Sequence, residues 1–153
     1  MPWRSRLPGV LAWVAMTEPL ETIGAFVDAF VAAWPTGEAG SLGDFFTEDA
    51  VYHNGPLAPV AGRAAIVQTL EALMAIGGRV SVDMVHVVAN GNVVMTERVD
   101  VLEANDRSVT LPVLGVFELA GGRIAAWRDY FDLDQFSAQQ AEPASPSSPD
   151  PGP

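Results

Sequence analysis

Three charged residues could run acid–base chemistry on a neutral molecule: Arg98, Asp100 and Asp129. Both stretches that hold them read as β-strands, where side chains alternate between faces. Over Met95–Leu102 the residues Thr96, Arg98, Asp100 and Leu102 share a face, with Arg98 and Asp100 about 6.6 Å apart along the strand. In the last strand Ala125, Trp127, Asp129 and Phe131 share a face that is apolar and aromatic except for Asp129. Arg128 and Tyr130 point the other way. An ionised carboxylate on such a face needs a partner, or its pKa is forced upward. Arg98 is the obvious partner if the strands bring it across. One guanidinium between two carboxylates keeps at least one ionised and lets the other hold a proton, and acid–base catalysis uses that division of roles. Two plainer readings stay open. The set is a satisfied polar network in a core, or Arg98 and Asp100 lie on the solvated strand face in place of Glu97.

Tyr52-His53-Asn54 forms a second polar group at a strand end, followed by Gly55-Pro56. Tyr52 and Asn54 share a side, and a phenol beside an amide can fix one water by donating and accepting hydrogen bonds. The alternative is a turn at Asn54-Gly55 with Tyr52 as ordinary packing. His53 opposes them as a half-exposed strand residue, and His86 is expected within or beside the core sheet.

The elements that must position these groups change period along the chain. Leu20, Ile23, Val27, Phe30, Val31 and Trp34 predict an amphipathic helix over 18–34 capped by Thr17 and ended by Pro35 and Gly37. A short helix follows over 39–46 and a brief strand over 50–53. Ile66, Leu70, Leu73 and Met74 mark a second long helix over 63–76, stopped by Gly77-Gly78. From there the pattern is strand-like: Val80–Val88, a hairpin at Asn90-Gly91, Val93–Glu103, Val109–Leu119, a turn at Gly121-Gly122, and Arg123–Leu133. Helices first and an antiparallel meander after indicate an α+β fold: a curved, mostly antiparallel sheet with the N-terminal helices on its concave face and a cone-like pocket between them. Residues 1–16 read as a loose N-terminal extension, 17–138 as one folded domain, and 139–153 as a disordered Pro/Ser-rich tail. Arg4 and Arg6 ahead of the apolar run Leu7–Met16 faintly suggest a secretory signal, but Pro8, Gly9 and the lack of an A-x-A-like site argue against it, so a cytoplasmic location is expected.

Composition narrows the partners. All eight cations among the 153 residues are Arg, and nineteen acids set the net charge at -11. That excess of negative charge disfavours nucleic acid and anionic membranes. The absence of Cys excludes disulfides and thiolate chemistry, and two His argue against a His-rich metal site. A neutral or weakly polar small ligand fits.

Tyr52–Leu57, Gly62-Arg63, Thr96–Leu102, Leu114–Phe117 and Trp127–Asp132, in this order and at these spacings, resemble the limonene-1,2-epoxide hydrolase family over residues 20–136. The resemblance implies the curved-sheet fold of the ketosteroid-isomerase and nuclear-transport-factor superfamily, a homodimer, and no metal or organic cofactor. It implies Asp129 as the base that deprotonates a water held by Tyr52 and Asn54. Asp100 would then be the acid that protonates the epoxide oxygen, and Arg98 the group that sets the ionisation of both aspartates. The partners implied are a small apolar epoxide and water. Leu73, Leu102, Leu111, Val113, Trp127 and Phe131 are candidates for a pocket wall suited to a terpene-like or alicyclic epoxide, and each is equally readable as core packing. Gly77-Gly78-Arg79 departs from the bulkier apolar residues expected there and points to a larger or more polar epoxide. Two other classes compete. One is an isomerase or polyketide-cyclase-like enzyme that uses one aspartate on a carbon acid. The other is a non-catalytic ligand-binding or dimerisation module, which would tolerate loss of the carboxylates.

Overall fold

From Arg79 to Tyr130 the chain is almost continuous β-structure, because its β-branched and aromatic residues alternate and two-residue turns separate the runs. The computed structural model describes residues 10–141, with side chains from residue 18 onward. In chain order, α1 (Val10–Ala33) is followed by a 3₁₀ turn (Gly40–Phe45), β1 (Phe46–Asn54), β2 (Val60–Ala61) and α2 (Arg63–Met74). Then come β3 (Arg79–Asn90), β4 (Val93–Ala104), β5 (Arg107–Ala120), β6 (Arg123–Tyr130) and α3 (Leu133–Ala141). The six strands form one curved sheet in the order β2-β1-β6-β5-β4-β3. Only β1 and β6 run parallel; every other pair is antiparallel. This is the expected α+β architecture.

The core lies between the helices and the inner sheet face. Phe26 of α1 meets Phe45, Phe46, Phe117 and Trp127 edge-on at centroid distances of 5.1–6.2 Å. Ile66, Leu70 and Met74 bury the inner stripe of α2.

Several boundaries depart from the sequence reading. Helix α1 begins at Val10, so Thr17 lies inside it and does not cap it. The run from Val10 to Met16 has no Gly or Pro to stop a helix, and passage through Pro19 costs one backbone hydrogen bond. Residues 1–9 of the expected extension lie outside the described residues. Strand β6 ends at Tyr130 and a further helix, α3, takes 133–141, where a strand end and the start of the tail were expected. Its N-terminal signal is Asp132, whose Oδ1 accepts from the Gln135 backbone N–H at 3.0 Å. The helix buries no residue fully, so no apolar stripe advertised it. The remainder of the expected tail, 142–153, lies outside the described residues.

Two bulges reset the alternation. Met84 pairs with Arg98 and His86 with Glu97, so Val85 is an extra residue in β3. The flip places His86 on the exposed outer face, where Nδ1 lies 2.7 Å from Glu97 Oε2, and not beside the core as expected. In β6 a register shift at Ala125 puts Ile124 on the inner face in its place. Trp127 and Asp129 lie beyond the shift and keep the face that the alternation gave them.

Candidate active site

Arg98 stands on β4 and Asp129 on β6, with β5 between them. Two strand spacings separate the outer pair, about 9.6 Å, so the arginine must reach across the intervening strand. The register shows how. Thr96, Gly115 and Asp129 lie side by side across β4, β5 and β6. At Gly115 a Cβ would collide with Arg98 Nη1 and sit 2.6 Å from Thr96 Oγ1 and 3.1 Å from Asp129 Oδ1. The missing side chain is the gap through which the guanidinium passes. Gly115 falls within the Leu114–Phe117 motif, which by itself assigns it no role. Its signal is a glycine amid strongly β-forming residues, which marks a close approach.

Through that gap Arg98 Nη2 donates to Asp129 Oδ2 at 2.7 Å. Its Nε donates to the Asp100 carboxylate at 3.0 and 3.2 Å, and Nη1 donates to Thr96 Oγ1 at 3.3 Å. Trp127 Nε1 donates to Asp129 Oδ1 at 2.8 Å. Each Asp129 oxygen thus accepts one N–H bond and keeps lone-pair capacity for a further donor. Arg98 and Asp129 are both 6% exposed, whereas the Asp100 side chain is 23% exposed. Burial pulls the Arg98 pKa down, but the Asp129 and Asp100 carboxylates outweigh it and hold the guanidinium charged. For Asp100 the balance is opposite: burial raises its pKa more than Arg98 lowers it, and the Asp129 charge adds to the rise. Tyr52 is raised by burial and then by Asp129, so its phenol stays neutral. Its ring stacks on Trp127 at 4.1 Å. Asn54 is the register partner of Asp129 across the parallel β1–β6 pair, as Tyr52 is of Trp127. All five polar candidates therefore share the inner face of β1, β4 and β6.

Asp100, Asp129, Tyr52 and Asn54 open into a cavity of about 370 Å³. Its wall is otherwise nearly all apolar. Of the six wall candidates, Leu73, Leu102, Leu111, Trp127 and Phe131 line it. Val113 does not: it is buried in register with Arg98, away from the opening. Arg98 itself lies behind the two aspartates, off the wall of this cavity and beside a much smaller one. The sequence reading missed Phe30 and Trp34 of α1, Ile76 and Val80 around β3, and Leu133, Phe136 and Gln140 of α3. The α3 residues were hidden by the polar character of that helix. Gly77-Gly78-Arg79 does not make the wall more polar. Gly78 abuts the backbone of Glu103 and Ala104, and Arg79 is exposed and paired with Glu103. Among the described residues no cluster of three or more His, Asp or Glu could hold a metal ion, and no helix is long and apolar enough to cross a membrane.

The geometry can take a proton at one aspartate and release one from the other, next to an apolar, enclosed ligand. Known proteins carry the same architecture. Residues 27–127 match the SnoaL-like domain family. The chain is 36% identical over 109 residues to epoxide hydrolase EphG of Mycobacterium tuberculosis, covering 70% of this chain and 71% of that protein. The structure of an M. tuberculosis LEH-like epoxide hydrolase superposes with a TM-score of 0.65 at 30% identity, over 81% of this chain and 90% of the other. A SnoaL-like polyketide cyclase homologue from Jannaschia sp. CCS1 shares the fold, with a TM-score of 0.70 at 18% identity over 84% and 95% of the two chains. The chain belongs to the SnoaL-like domain family and is a relative of the epoxide hydrolase EphG.

Proposed function

We propose that this protein is a cofactor-independent epoxide hydrolase that adds water to an apolar, cyclic or terpene-like epoxide in one step. Asp129 takes a proton from a water held by Tyr52 and Asn54. The water oxygen attacks an epoxide carbon, the carbon–oxygen bond breaks, and Asp100 delivers its proton to the departing oxygen, which gives a vicinal diol. A concerted transfer keeps little net charge on the substrate at any moment, which suits a cavity with apolar walls. Arg98 holds both aspartates and keeps their charge balanced as the proton moves.

The observation that carries this reading is a single guanidinium joined to two aspartates that both open onto one apolar cavity. The raised pKa of Asp100 supports its part as the acid. A second reading has one observation in its favour. The neutral phenol of Tyr52 beside Asp129 could donate to a carbonyl oxygen while Asp129 takes a proton from carbon, as in an isomerase or cyclase. We also propose a homodimer, because the outer sheet face exposes apolar residues.

Incubation with limonene oxide or cyclohexene oxide in oxygen-labelled water tests the assignment. Wild type should form diol carrying one solvent oxygen, in a single turnover as well as in many. Asp129→Asn and Asp100→Asn should each lose about 10²–10⁴-fold in rate with the far-UV circular dichroism retained. Label in the enzyme carboxylate, or proton exchange on a cyclic ketone without diol from any epoxide, would defeat the proposal.

A further inference from the structure

Thr96 is fully buried on the inner face of β4, in the same strand as Val94, which is buried as completely. Threonine and valine have nearly the same shape and both suit a strand. The hydroxyl therefore needs a reason of its own, because a buried hydroxyl without a partner is costly. Among the described residues the side chain has one hydrogen-bond partner, Arg98, whose Nη1 donates to Oγ1 at 3.3 Å. That bond belongs to an unusual division of the guanidinium. Arginine facing carboxylates frequently gives two parallel N–H bonds to a single one. Arg98 instead gives Nε to Asp100, Nη2 to Asp129 and Nη1 to the threonine. The elements packed around it add no further charge: α1 presents Phe26, Val27 and Phe30 to this corner, β3 presents Val82, and β5 presents Phe117. Its titratable neighbours are Asp100, Asp129 and the Tyr52 phenol.

We propose that Thr96 is a positioning residue: its hydroxyl holds one arm of Arg98 so that the other two reach different aspartates. The kinetic consequence rests on the epoxide hydrolase reading of the cavity; the positioning itself does not. Thr96 lies off the cavity wall and acts only through the arginine. Without the hydroxyl, a buried Nη1 N–H is left unpaired, which costs its full desolvation. Asp129 is the acceptor it can turn to. Nη2 already bonds that carboxylate, and each of its oxygens keeps lone-pair capacity. The space that Gly115 leaves is flanked by Nη1 and by Asp129 Oδ1, so the turn has room. Giving both Nη groups to Asp129 draws Nε away from Asp100. Arg98 is what lowers the Asp100 pKa against the effect of burial. With Nε gone, Asp100 keeps its proton to higher pH and releases it less readily to a leaving oxygen. The threonine thus keeps the acid from becoming too weak.

Two substitutions separate the hydroxyl from the packing. Thr96→Val keeps the shape and removes the acceptor; Thr96→Ser removes a methyl group and keeps it. With cyclohexene oxide as substrate, the alkaline limb of the kcat/KM–pH curve should move up by about one unit in Thr96→Val, and kcat should fall about tenfold. Thr96→Ser should keep the wild-type curve. A crystal structure of Thr96→Val, which needs no turnover, should show both Nη groups on Asp129 and Nε withdrawn from Asp100. An alkaline limb unmoved in Thr96→Val, a Thr96→Ser curve displaced like that of the valine variant, or a Thr96→Val structure in which Arg98 still bonds both aspartates overturns the proposal. Thr96→Ala replaces Thr96→Val in each arm if the latter does not fold. Absence of diol from every epoxide with wild type defeats the hydrolase reading, whereas the crystal structure of the variant judges the positioning alone.

Discussion

Asp100 and Asp129 share one guanidinium, yet their surroundings separate them. Asp129 accepts from Arg98 and from the Trp127 indole in the most buried part of the site. Asp100 meets Arg98 through Nε at the cavity edge, and burial dominates its titration. Its pKa is raised above 3.8, so the folded protein holds this proton more tightly than the unfolded chain does. The stability it contributes is fully present below that unfolded value and is lost as the pH rises through the folded value. Asp100→Asn removes that loss. The melting temperature of the variant, relative to wild type, should therefore climb as the pH is raised from about 3 to 7, read by thermal melts across that range. A difference independent of pH would contradict the burial account. Activity should move in the opposite sense to carboxylate ionisation at this position: kcat/KM declines on the alkaline side as Asp100 loses its proton.

At the scale of elements, the site depends on how strands sit beside one another. Gly115 in β5 leaves the passage that Arg98 needs between β4 and β6. A methyl group there forces Arg98 or the strand to move, so Gly115→Ala should cost about 1–3 kcal/mol of stability. It should also lower kcat by more than tenfold and shift the pH profile, because the guanidinium no longer meets both aspartates. Val94→Ala supplies the comparison. It hollows the same sheet at a fully buried position of β4, four residues before Arg98, and should lower stability with the pH profile unmoved. Measuring both variants by denaturant melts and pH–rate curves separates positioning from packing. Helix α3 adds a second dependence. Gln139 accepts from the Thr110 N–H and donates to its carbonyl, both at 2.8 Å, and so occupies the stretch of β5 that β6 does not pair. That fastening keeps Leu133, Phe136 and Gln140 in the cavity wall.

For the molecule as a whole, the two faces of the sheet differ in what covers them. The inner face carries the site beneath the helices. The outer face presents Val51, Val88, Met95, Leu114 and Tyr130, each 39–59% exposed. An apolar surface of this kind on a small chain marks an association site, and it is the observation that supports the proposed homodimer. A charge placed at its centre would have to be buried unpaired on association. Leu114→Glu should therefore convert the dimer to a species of 16.2 kDa, as measured by light scattering after size exclusion. Wild type running at that mass under the same conditions would remove the dimer from the proposal.

The amino-acid sequence by itself determined the order of the main elements from α1 to β6, apart from the two-residue β2, the α+β class, and the alternation that puts Arg98 with Asp100 and Trp127 with Asp129. Local period and turn chemistry decide those features, and both are written in neighbouring residues. It also carried enough of a family pattern to imply five polar candidates for the site. It did not say which strand face was inner, because alternation is symmetrical until the helices choose a side. It did not reveal the bulges at Val85 and Ala125, the wall supplied by α3, or the gap at Gly115. Those depend on register between strands distant in sequence. The bridge from Arg98 to Asp129 joins residues thirty-one positions apart across a strand that belongs to neither, and only the folded sheet brings them within hydrogen-bond reach.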